Sequence, residues 1–458
     1  MTAAPPLPAP KLWRAGTLVY TAGGLALLFC WLLWGDFAWS MRDRTVPAVI
    51  QLLLRRFGAS DTLTGILFTS LPSALGLVLG PIVGYRSDRY RSRWGRRIPF
   101  LFLPTPFIVL SMVGLAFAPQ IGGAAHRLLG PEAVSADAAV LACLGICWAV
   151  FEIACLTANA VFMALINDVV PQAVMGRFFG LFRACSLVCG MILTYWVMGK
   201  AETHYRLIFL GVGVLYGLGF TLMCLRVKEG EYPPPPEPKA AERARLGSVV
   251  AGVRAYFRDS FAKPYYLLVF LAPICCGLAT LPFNLYSLFY AKSLGMNLDV
   301  YFKCLTLTYG ISLVLAYPLG ALADRFHPLR ISLVVIALYG GVMAWGMASV
   351  KDAATFAVIL VAHGVLSGTF YTTSASLGQR LLPQAKFAEL SSAGGILNGV
   401  VMMIVPVLLG TLLDRTHHTY RYVFHAGLGL SVFGVLLGVA LYRRFVALGG
   451  PSHYQAPE

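Results

Sequence analysis

Long apolar runs dominate this sequence, and they constrain its fold more than any other feature. A helix needs about 20 apolar residues to cross a bilayer, and twelve runs of roughly that length or more follow one another along the chain. Because 58% of the 458 residues are hydrophobic and only 12% are charged, intrinsic disorder and a small disulfide-stapled secreted domain are both excluded. We therefore predict an all-α membrane protein with twelve transmembrane helices. The runs lie near 15–41, 61–85, 98–118, 137–167, 177–199, 206–226, 265–291, 300–323, 331–350, 354–381, 388–412 and 422–443.

The distribution of basic residues predicts the orientation of these helices. About two thirds of the 36 lysines and arginines fall in segments that twelve spans would place on the same side as the N-terminus. We expect a multi-pass protein of the plasma or inner membrane with both termini in the cytoplasm, and we expect the first run to be retained rather than cleaved as a signal peptide. The net charge of +16 then reflects topology and does not indicate nucleic-acid binding.

The sequence divides into two related halves. GYRSDR at 84–89 has a counterpart in GALADR at 320–325, and VVPQA at 169–173 has one in LLPQA at 381–385, each at the same ordinal place among the runs. Such internal repeats are typical of secondary transporters, whose substrate sites lie near the midplane between the halves. We predict a six-helix half at 1–226, a cytoplasmic linker at 227–263, a second six-helix half at 264–443 and a cytoplasmic tail at 444–458.

The linker contains two patterns of its own. Four consecutive prolines at 233–236 are incompatible with a helix, whereas apolar residues recur at helical spacing from Leu246 to Phe261. The second pattern is typical of an amphipathic helix on the inner membrane surface, and equally of an ordered connector packed on the helical bundle. The sequence leaves both interpretations open.

The loop after the second run carries the most specific motif. It reads GYRSDRYRSRWGRRIPF at 84–100, with an aspartate at the membrane boundary and arginines that can anchor the loop among lipid headgroups. A glycine in this position permits close helix approach. The loop resembles the signature of the major facilitator superfamily. Together with NDVVP at 167–171, Arg177 and Arg183, its extension resembles the glycoside–pentoside–hexuronide cation symporters and the related sucrose/proton symporters.

This resemblance implies a sugar or glycoside carried with a proton or a sodium ion, and a gating role for the two loops. The gating residues that it implies are Gly84, Asp88, Arg89, Gly95, Arg96, Arg97, Asp168, Arg177, Asp324 and Arg325.

Ionisable residues inside the spans are candidate site residues, because charge is costly in a bilayer. Glu152 lies at the midpoint of the fourth run, and Trp148, Cys155 and Asn159 share its helical face. This face would offer an aromatic platform, a carboxylate and an amide to a sugar. Glu152 either carries the coupled proton or bonds sugar hydroxyls, or it forms a structural hydrogen bond between helices.

Two further candidates lie in the first half. Asp36 falls in the first run, and the neighbouring Arg42-Asp43-Arg44 is interpreted as a salt-bridge set on the outer surface. Arg183 lies about two turns into the fifth run, at a depth similar to that of Asn159, where it would bind a polar substrate or close an inner gate. Between Asp61 and Asp88 the second run contains no acidic residue, which favours a proton over sodium as the coupling ion.

The second half contributes uncharged polar candidates. His363 shares one face of the tenth run with Ser367 and Tyr371, and it either titrates or packs as a satisfied core residue. The scattered cysteines are predicted to be packing residues, and His417-His418 is only a weak metal signal. The remaining candidates are Asn284, which occupies a place analogous to that of Asp36, together with Tyr286 and Asn398.

We predict a secondary transporter that works by alternating access, with a neutral disaccharide such as sucrose or maltose as substrate and a proton as coupling ion. A proton-driven exporter, an importer of cell-wall fragments and a non-transporting sugar receptor are the alternatives. The chain carries neither a phosphate-binding glycine loop nor a nucleophile elbow, so we expect no enzymatic activity and no cofactor or metal. The expected partners are the sugar and the lipid bilayer, and we expect a monomer.

Overall fold

The computed structural model describes residues 12–130, 132–232, 261–383 and 387–457, and nearly all of them are helical. An antiparallel hairpin of β1 (Trp13–Ala15) and β2 (Leu18–Tyr20) precedes the first helix. The helices of the first half are α1 (Ala22–Arg56), α2 (Asp61–Gly65), α3 (Leu71–Arg89), α4 (Ile98–Phe102), α5 (Pro104–Leu129), α6 (Ala136–Val169), α7 (Met175–Ile192) and α8 (Ala201–Arg226). Those of the second half are α9 (Pro264–Leu278), α10 (Leu281–Ser293), α11 (Leu298–Phe326), α12 (Pro328–Ser349), α13 (Ala353–Ser374), α14 (Leu377–Leu381), α15 (Phe387–Arg415), α16 (Tyr422–Ala447) and α17 (Gly450–His453).

Eleven apolar helical stretches of the described chain are long enough to cross a membrane, and one of them contains two spans. That stretch, Arg177–Arg226, has 50 residues, about twice what one crossing needs. It is interrupted by a π-helical turn at Leu193–Val197 and a 3₁₀ turn at Met198–Lys200. The thiol of Cys185 lies against the carbonyl of Leu33 and that of Cys189 against the carbonyl of Phe37, so residue numbers rise in the same direction along α7 and α1. Met223 lies against Gly35 and Ala38 against Gly219, so residue numbers rise in opposite directions along α8 and α1. Because α7 therefore runs parallel to α1 and α8 antiparallel to it, the prediction of twelve spans is confirmed.

The first helix differs from its sequence-based prediction. The expected span at 15–41 begins instead with the hairpin, in which Gly16 (φ +56°) occupies the turn, and α1 starts at Ala22. The helix then continues to Arg56 and passes through Arg42, Asp43 and Arg44 without a break. These charges ended the apolar run in the sequence, but in the structure they lie inside the helix. This shift changes the assignment of Arg42.

Tight backbone contacts join the start of the second span to α15. A Cβ on Gly410 would lie 2.6 Å from Cα of Thr62, and one on Gly65 would lie 2.7 Å from the carbonyl oxygen of Pro406. Only glycine allows two backbones to approach this closely. The seventh span is split at Ala279 and Thr280 into α9 and α10, with Pro282 in the first turn of α10.

The residues cluster into two compact units. Unit 1 comprises Met1–Ile50, Val78–Cys189 and His204–Pro236, and unit 2 comprises Gln51–Leu77, Gly190–Thr203 and Glu237–Glu458. In unit 1 the rings of Trp39, Phe162 and Phe220 pack on one another, and in unit 2 the ring of Phe283 packs between those of Phe356 and Phe424. The predicted linker helix at 246–261 and the side chain of Asp324 lie outside the described residues.

Candidate functional site

Arg42 is the most deeply buried charge of unit 1, with 1% of its surface exposed. Its Nη1 donates a hydrogen bond to Sγ of Cys155 at 2.6 Å, and its guanidinium lies 4.0 Å from the ring centroid of Trp39. The rings of Phe151 and Tyr216 lie 5.4 and 5.3 Å from the same group. The interpretation of Arg42 as part of an outer-surface salt-bridge set is therefore wrong. Its neighbour Asp43, 3.4 Å from Nη2, is exposed.

Two carboxyl groups lie near this cation. Glu152, halfway along α6, is close enough to Arg42 for the two charges to interact. Asp36, one and a half turns before Arg42 in α1, is 2% exposed and hydrogen-bonds the side chain of Ser40, while its Oδ2 has no partner among the residues described. Arg44 acts electrostatically on Asp36 and donates a hydrogen bond to Ser186 at 2.9 Å. We call Asp36, Arg42 and Glu152 the charged triad.

The structure separates the predicted face of α6 into buried and open positions. Trp148 is 1% exposed and its ring stacks on Phe151 at 5.3 Å, so the ring is packed in unit 1 rather than presented as an open platform. Asn159 is exposed. Arg183 is also exposed, and it follows Phe182, whose ring lies 6.4 Å from Phe162 at nearly the level of Asn159. The similar depths of these two candidates agree with the sequence-based expectation.

Three of the candidates in unit 2 belong to one continuous series of hydrogen bonds. The hydroxyl of Tyr339 lies 2.9 Å from Nδ1 of His363, whose Nε2 lies 2.9 Å from Oδ1 of Asn284. Nδ2 of Asn284 then lies 3.3 Å from Oγ1 of Thr280, and the hydroxyl of Tyr371 lies 3.2 Å from the same oxygen. We call these five residues the polar chain. Since both ring nitrogens of His363 are paired, the structure matches its interpretation as a satisfied core residue.

The other two candidates of unit 2 lie elsewhere. Tyr286 is fully buried and its hydroxyl donates to the carbonyl oxygen of Asp61 at 3.0 Å, and Asn398 is exposed on α15. Near Tyr286, ligand atoms of Asp61, Asp414 and His418 lie within 4.8 Å of one another. Their oxygens and Nδ1 are already hydrogen-bonded to one another and to the first turn of α2, so the group is a closed hydrogen-bonded cluster.

The predicted gating residues around 84–97 form an ion-pair network with the end of α6. Arg96 donates to both carboxylate oxygens of Asp168, at 2.9 and 3.1 Å, and Nε of Arg97 donates to the same carboxylate at 3.0 Å. Arg97 also pairs with Asp88. Partial burial would lower the pKa of Arg96, but its hydrogen bonds to Asp168 and the charge of that residue outweigh burial and raise the pKa. This network joins three separate segments of unit 1.

Glu229 completes this network, and the sequence-based reasoning missed it. Its carboxylate accepts hydrogen bonds from three consecutive backbone N–H groups, those of Arg96, Arg97 and Ile98, at 3.0, 2.8 and 2.8 Å. Gly95, with φ +103°, makes this approach possible because any Cβ there would collide with the Glu229 side chain. A Cβ on Gly84 would meet open space among the described residues, so this structure shows no close helix approach at that glycine.

The other described gating residues lie in different surroundings. The guanidinium of Arg325 lies 5.4 Å from the ring of Phe326, and Arg177 is exposed near the start of α7. Arg89 is the last residue of α3. No pattern in the sequence marked Glu229, because it stands outside the motif at the start of the linker.

Comparison with known proteins shows the family. A model of the Major Facilitator Superfamily matches residues 21–406, which is most of the chain. The chain belongs to the Major Facilitator Superfamily. It is therefore a multi-pass membrane transporter of that superfamily, and the prediction of its fold from the 84–97 loop is confirmed.

Individual relatives of this transporter are more distant. Sucrose transport protein SUT1 of Oryza sativa subsp. japonica is 34% identical over 87 residues, which is 19% of this chain and 15% of that protein. The chain thus matches only a small part of the length of this curated relative. A bacterial homolog of the human lysosomal transporter Spinster superposes with a TM-score of 0.65 at 14% identity, covering 94% of this chain and 99% of that one. A D-xylose-proton symporter superposes with a TM-score of 0.59 at 15% identity, covering 90% and 96%.

Proposed function

We propose that the transporter is a proton-coupled symporter of a neutral glycoside and that it works by alternating access. The charged triad is the observation that carries this proposal. Asp36, Arg42 and Glu152 lie in the middle of membrane-spanning helices, where ionisable side chains are costly and mark ion or substrate pathways. A carboxyl group beside a fixed arginine binds or releases a proton as its burial and its distance from the cation change. Such a group can couple proton movement to a conformational cycle.

The polar chain supports a neutral substrate. Asn284, Thr280 and Tyr371 offer amide and hydroxyl groups without charge, which suit the hydroxyls of a sugar. The likeness to a protein named for sucrose transport and to a D-xylose-proton symporter points in the same direction. The exposed Asn159, Arg183 and Asn398 remain candidate substrate residues, whereas Trp148 and Tyr286 are buried in this structure.

The proposal includes the coupling ion, the topology and the partners. The second span has no acidic residue between Asp61 and Asp88, so we propose a proton rather than sodium as the coupling ion. The excess of basic residues on one side supports cytoplasmic termini in a plasma or inner membrane. We propose a monomer whose partners are the sugar and the bilayer, with no cofactor.

Counterflow in proteoliposomes tests this function. The purified transporter is reconstituted with labelled sucrose, maltose and a panel of other glycosides, with and without an inward proton gradient. We expect sugar-dependent exchange in both conditions and concentrative uptake only with the gradient. Absence of exchange for every glycoside would reject the substrate class, and concentrative uptake driven by sodium alone would reject the proton.

A variant of the charged triad tests coupling separately. Glu152→Gln keeps the size and hydrogen-bonding capacity of the side chain but cannot release a proton. We expect it to retain counterflow and to lose gradient-driven accumulation, whereas Glu132→Gln, at an exposed position, should retain both. Normal pH-dependent accumulation by Glu152→Gln would remove Glu152 from the coupling mechanism.

A further inference from the structure

The hydrogen bonds of the polar chain have a fixed direction, and Thr280 sets it. A threonine hydroxyl has one proton to donate and two lone pairs to accept with. The Thr280 proton is donated to the carbonyl oxygen of Gly277 at 2.9 Å. Its oxygen can therefore only accept from Asn284 Nδ2 at 3.3 Å and from the Tyr371 hydroxyl at 3.2 Å.

The same donor–acceptor order continues through Asn284 to His363 and Tyr339, which form the buried end of the polar chain. With Nδ2 facing Thr280, Asn284 presents Oδ1 to His363, so Nε2 of the imidazole carries the proton that it donates at 2.9 Å. Nδ1 of His363 then accepts from the Tyr339 hydroxyl, also at 2.9 Å. His363 is 3% exposed and Tyr339 is fully buried, so each proton of this inner part of the chain has a defined acceptor.

Asn284 and Tyr371, the two exposed members of the polar chain, keep unused hydrogen-bonding groups, one a donor and the other an acceptor. Asn284 has a second N–H, whereas Tyr371, having donated its proton to Thr280, has oxygen lone pairs to offer. Both groups hydrogen-bond to the same threonine oxygen, at 3.3 and 3.2 Å, so they are neighbours on the same polar site. Tyr371 is 50% exposed.

The surroundings of Asn284 favour a water-accessible space next to this pair. From Pro282 to Ala291, every residue of α10 except Asn284 is buried. An unpaired amide N–H directed at lipid would cost free energy that a water-accessible space does not demand. The break between α9 and α10 at Thr280 has the same implication, since discontinuous transmembrane helices line substrate sites in transporters.

We infer that Asn284 and Tyr371 form a subsite for one hydroxyl group of a neutral polyhydroxy ligand, and that Thr280 is the positioning residue that fixes its donor–acceptor pattern. A hydroxyl accepts from the Asn284 N–H and donates to the Tyr371 oxygen at the same time. A carboxylate would be repelled by the lone pairs of Tyr371, and an ammonium group by the N–H of Asn284. The ligand class rests on the proposed function, but the donor–acceptor direction of the hydrogen bonds in the polar chain does not.

The tautomer of His363 tests the direction without any ligand. The full-length transporter, labelled with ¹⁵N-histidine and reconstituted in lipid bilayers, is measured by solid-state NMR, and His363→Gln assigns the signal among the eight histidines. We expect the Nε2–H tautomer in the wild type and in Thr280→Ser, which keeps the hydroxyl. Thr280→Val removes the anchor and should allow the Nδ1–H tautomer to appear. An Nδ1–H tautomer in the wild type, or an unchanged spectrum in Thr280→Val, would overturn the inference.

Binding of deoxy sugars tests the subsite itself. Affinities of the transporter in detergent are measured for sucrose and for a set of monodeoxy sucroses. We expect one analogue to bind the wild type about 10- to 100-fold more weakly than sucrose, as for the loss of one to two hydrogen bonds. In Tyr371→Phe and in Asn284→Ala one of the two partners is gone, so the same analogue should be discriminated less than in the wild type, and in the double variant it should bind within about 3-fold of sucrose.

The two experiments separate the inference from the proposed function. If no analogue is discriminated at Asn284 and Tyr371 although sucrose binds, the subsite assignment is wrong while glycoside transport stands. If the wild type binds neither sucrose nor any other glycoside of the counterflow panel while the tautomer result holds, the glycoside substrate and the hydroxyl assignment both fail, and only the donor–acceptor direction of the polar chain survives.

Discussion

The carboxylate of Asp61 lies 2.6 Å from Nδ1 of His418, which ties the first turn of the second span to the segment between α15 and α16. The Tyr420 hydroxyl donates to the other oxygen of Asp61 at 3.1 Å, and the burial and negative charge around it raise the pKa of Tyr420. Asp414 completes the contact by accepting hydrogen bonds from the backbone N–H groups of Asp61 and Thr62 at 2.7 and 2.9 Å. The last turn of α15 therefore caps the N-terminus of α2.

This cap is expected to stabilise the fold measurably. In Asp414→Asn one carboxylate oxygen becomes an amide nitrogen that cannot accept, so one of these two N–H groups loses its acceptor. We expect a loss of about 1–2 kcal/mol, seen as a lower midpoint of thermal unfolding in detergent. Asp352→Asn is the matched control, because the side chain of this exposed N-cap accepts from the backbone N–H of Thr355 and asparagine can still do so. Equal stability of Asp414→Asn and wild type would contradict the cap.

Glu229 should protect the backbone amides that it accepts from. Glu229→Gln replaces a charge-assisted acceptor, and hydrogen bonds to charged groups are worth about 1.5–3 kcal/mol. Hydrogen–deuterium exchange at Arg96, Arg97 and Ile98 should therefore accelerate about 10-fold or more. Glu231→Gln, two residues away, should leave that exchange unchanged, because Glu231 contributes its backbone N–H, 2.8 Å from Oγ1 of Thr17. Unaltered exchange in Glu229→Gln would show that the carboxylate does not hold the loop.

The buried Arg42 should depend on its acceptor Cys155. Cys155→Val removes the sulfur that accepts from Nη1, whereas Cys155→Ser keeps an acceptor in nearly the same place. A buried charge that loses its hydrogen bond costs about 1.5–3 kcal/mol, so the valine variant should be less stable and transport more slowly. Thermal unfolding and counterflow rate are the measurements. The serine variant should lie close to the wild type in both, and a serine variant as impaired as the valine variant would argue against the hydrogen bond.

His327 should make the fold sensitive to acid. Burial and the neighbouring charges of Arg380 and Arg330 lower the pKa of His327 to about 4, against about 6.5 for an unfolded chain. The unfolded chain thus binds the proton first, so the free energy of unfolding should be unaffected above pH 7 and fall by roughly 3 kcal/mol between about pH 6.5 and pH 4. In His327→Asn the acid-dependent loss should shrink by this amount, since asparagine tolerates the positive φ of +73° and can accept from the Leu329 N–H. An identical pH dependence of thermal unfolding in both proteins would contradict the assignment.

The number of spans and the gating motif could be predicted from the sequence because both depend on local composition. Apolar runs reveal spans whatever their packing, and the residues of 84–97 form one contiguous motif, although Asp168, the partner of Arg96 and Arg97, lies far away in the sequence. Arg42 could not be placed, since a basic residue after an apolar run usually marks a membrane boundary, and only the unbroken course of α1 brings it into the interior.

The residues of the polar chain were likewise only partly predictable from the sequence. Asn284, His363 and Tyr371 stood out as polar residues in apolar runs, and the structure joins them. Thr280 and Tyr339 did not stand out, because single hydroxyls are common in transmembrane helices and their partners lie on other helices. Whether these residues bind a substrate remains a prediction.

The glycine contacts of Gly65 and Gly410 have a kinetic consequence. At these two positions backbone lies directly against backbone, so no side chain has to change its rotamer there when the two segments separate. The cost of separation is then concentrated in a few hydrogen bonds at the ends of the contact, chiefly those of Asp414. Separation of the two segments would therefore depend mainly on breaking the hydrogen bonds of Asp414, and the glycine contacts themselves would add little to the barrier.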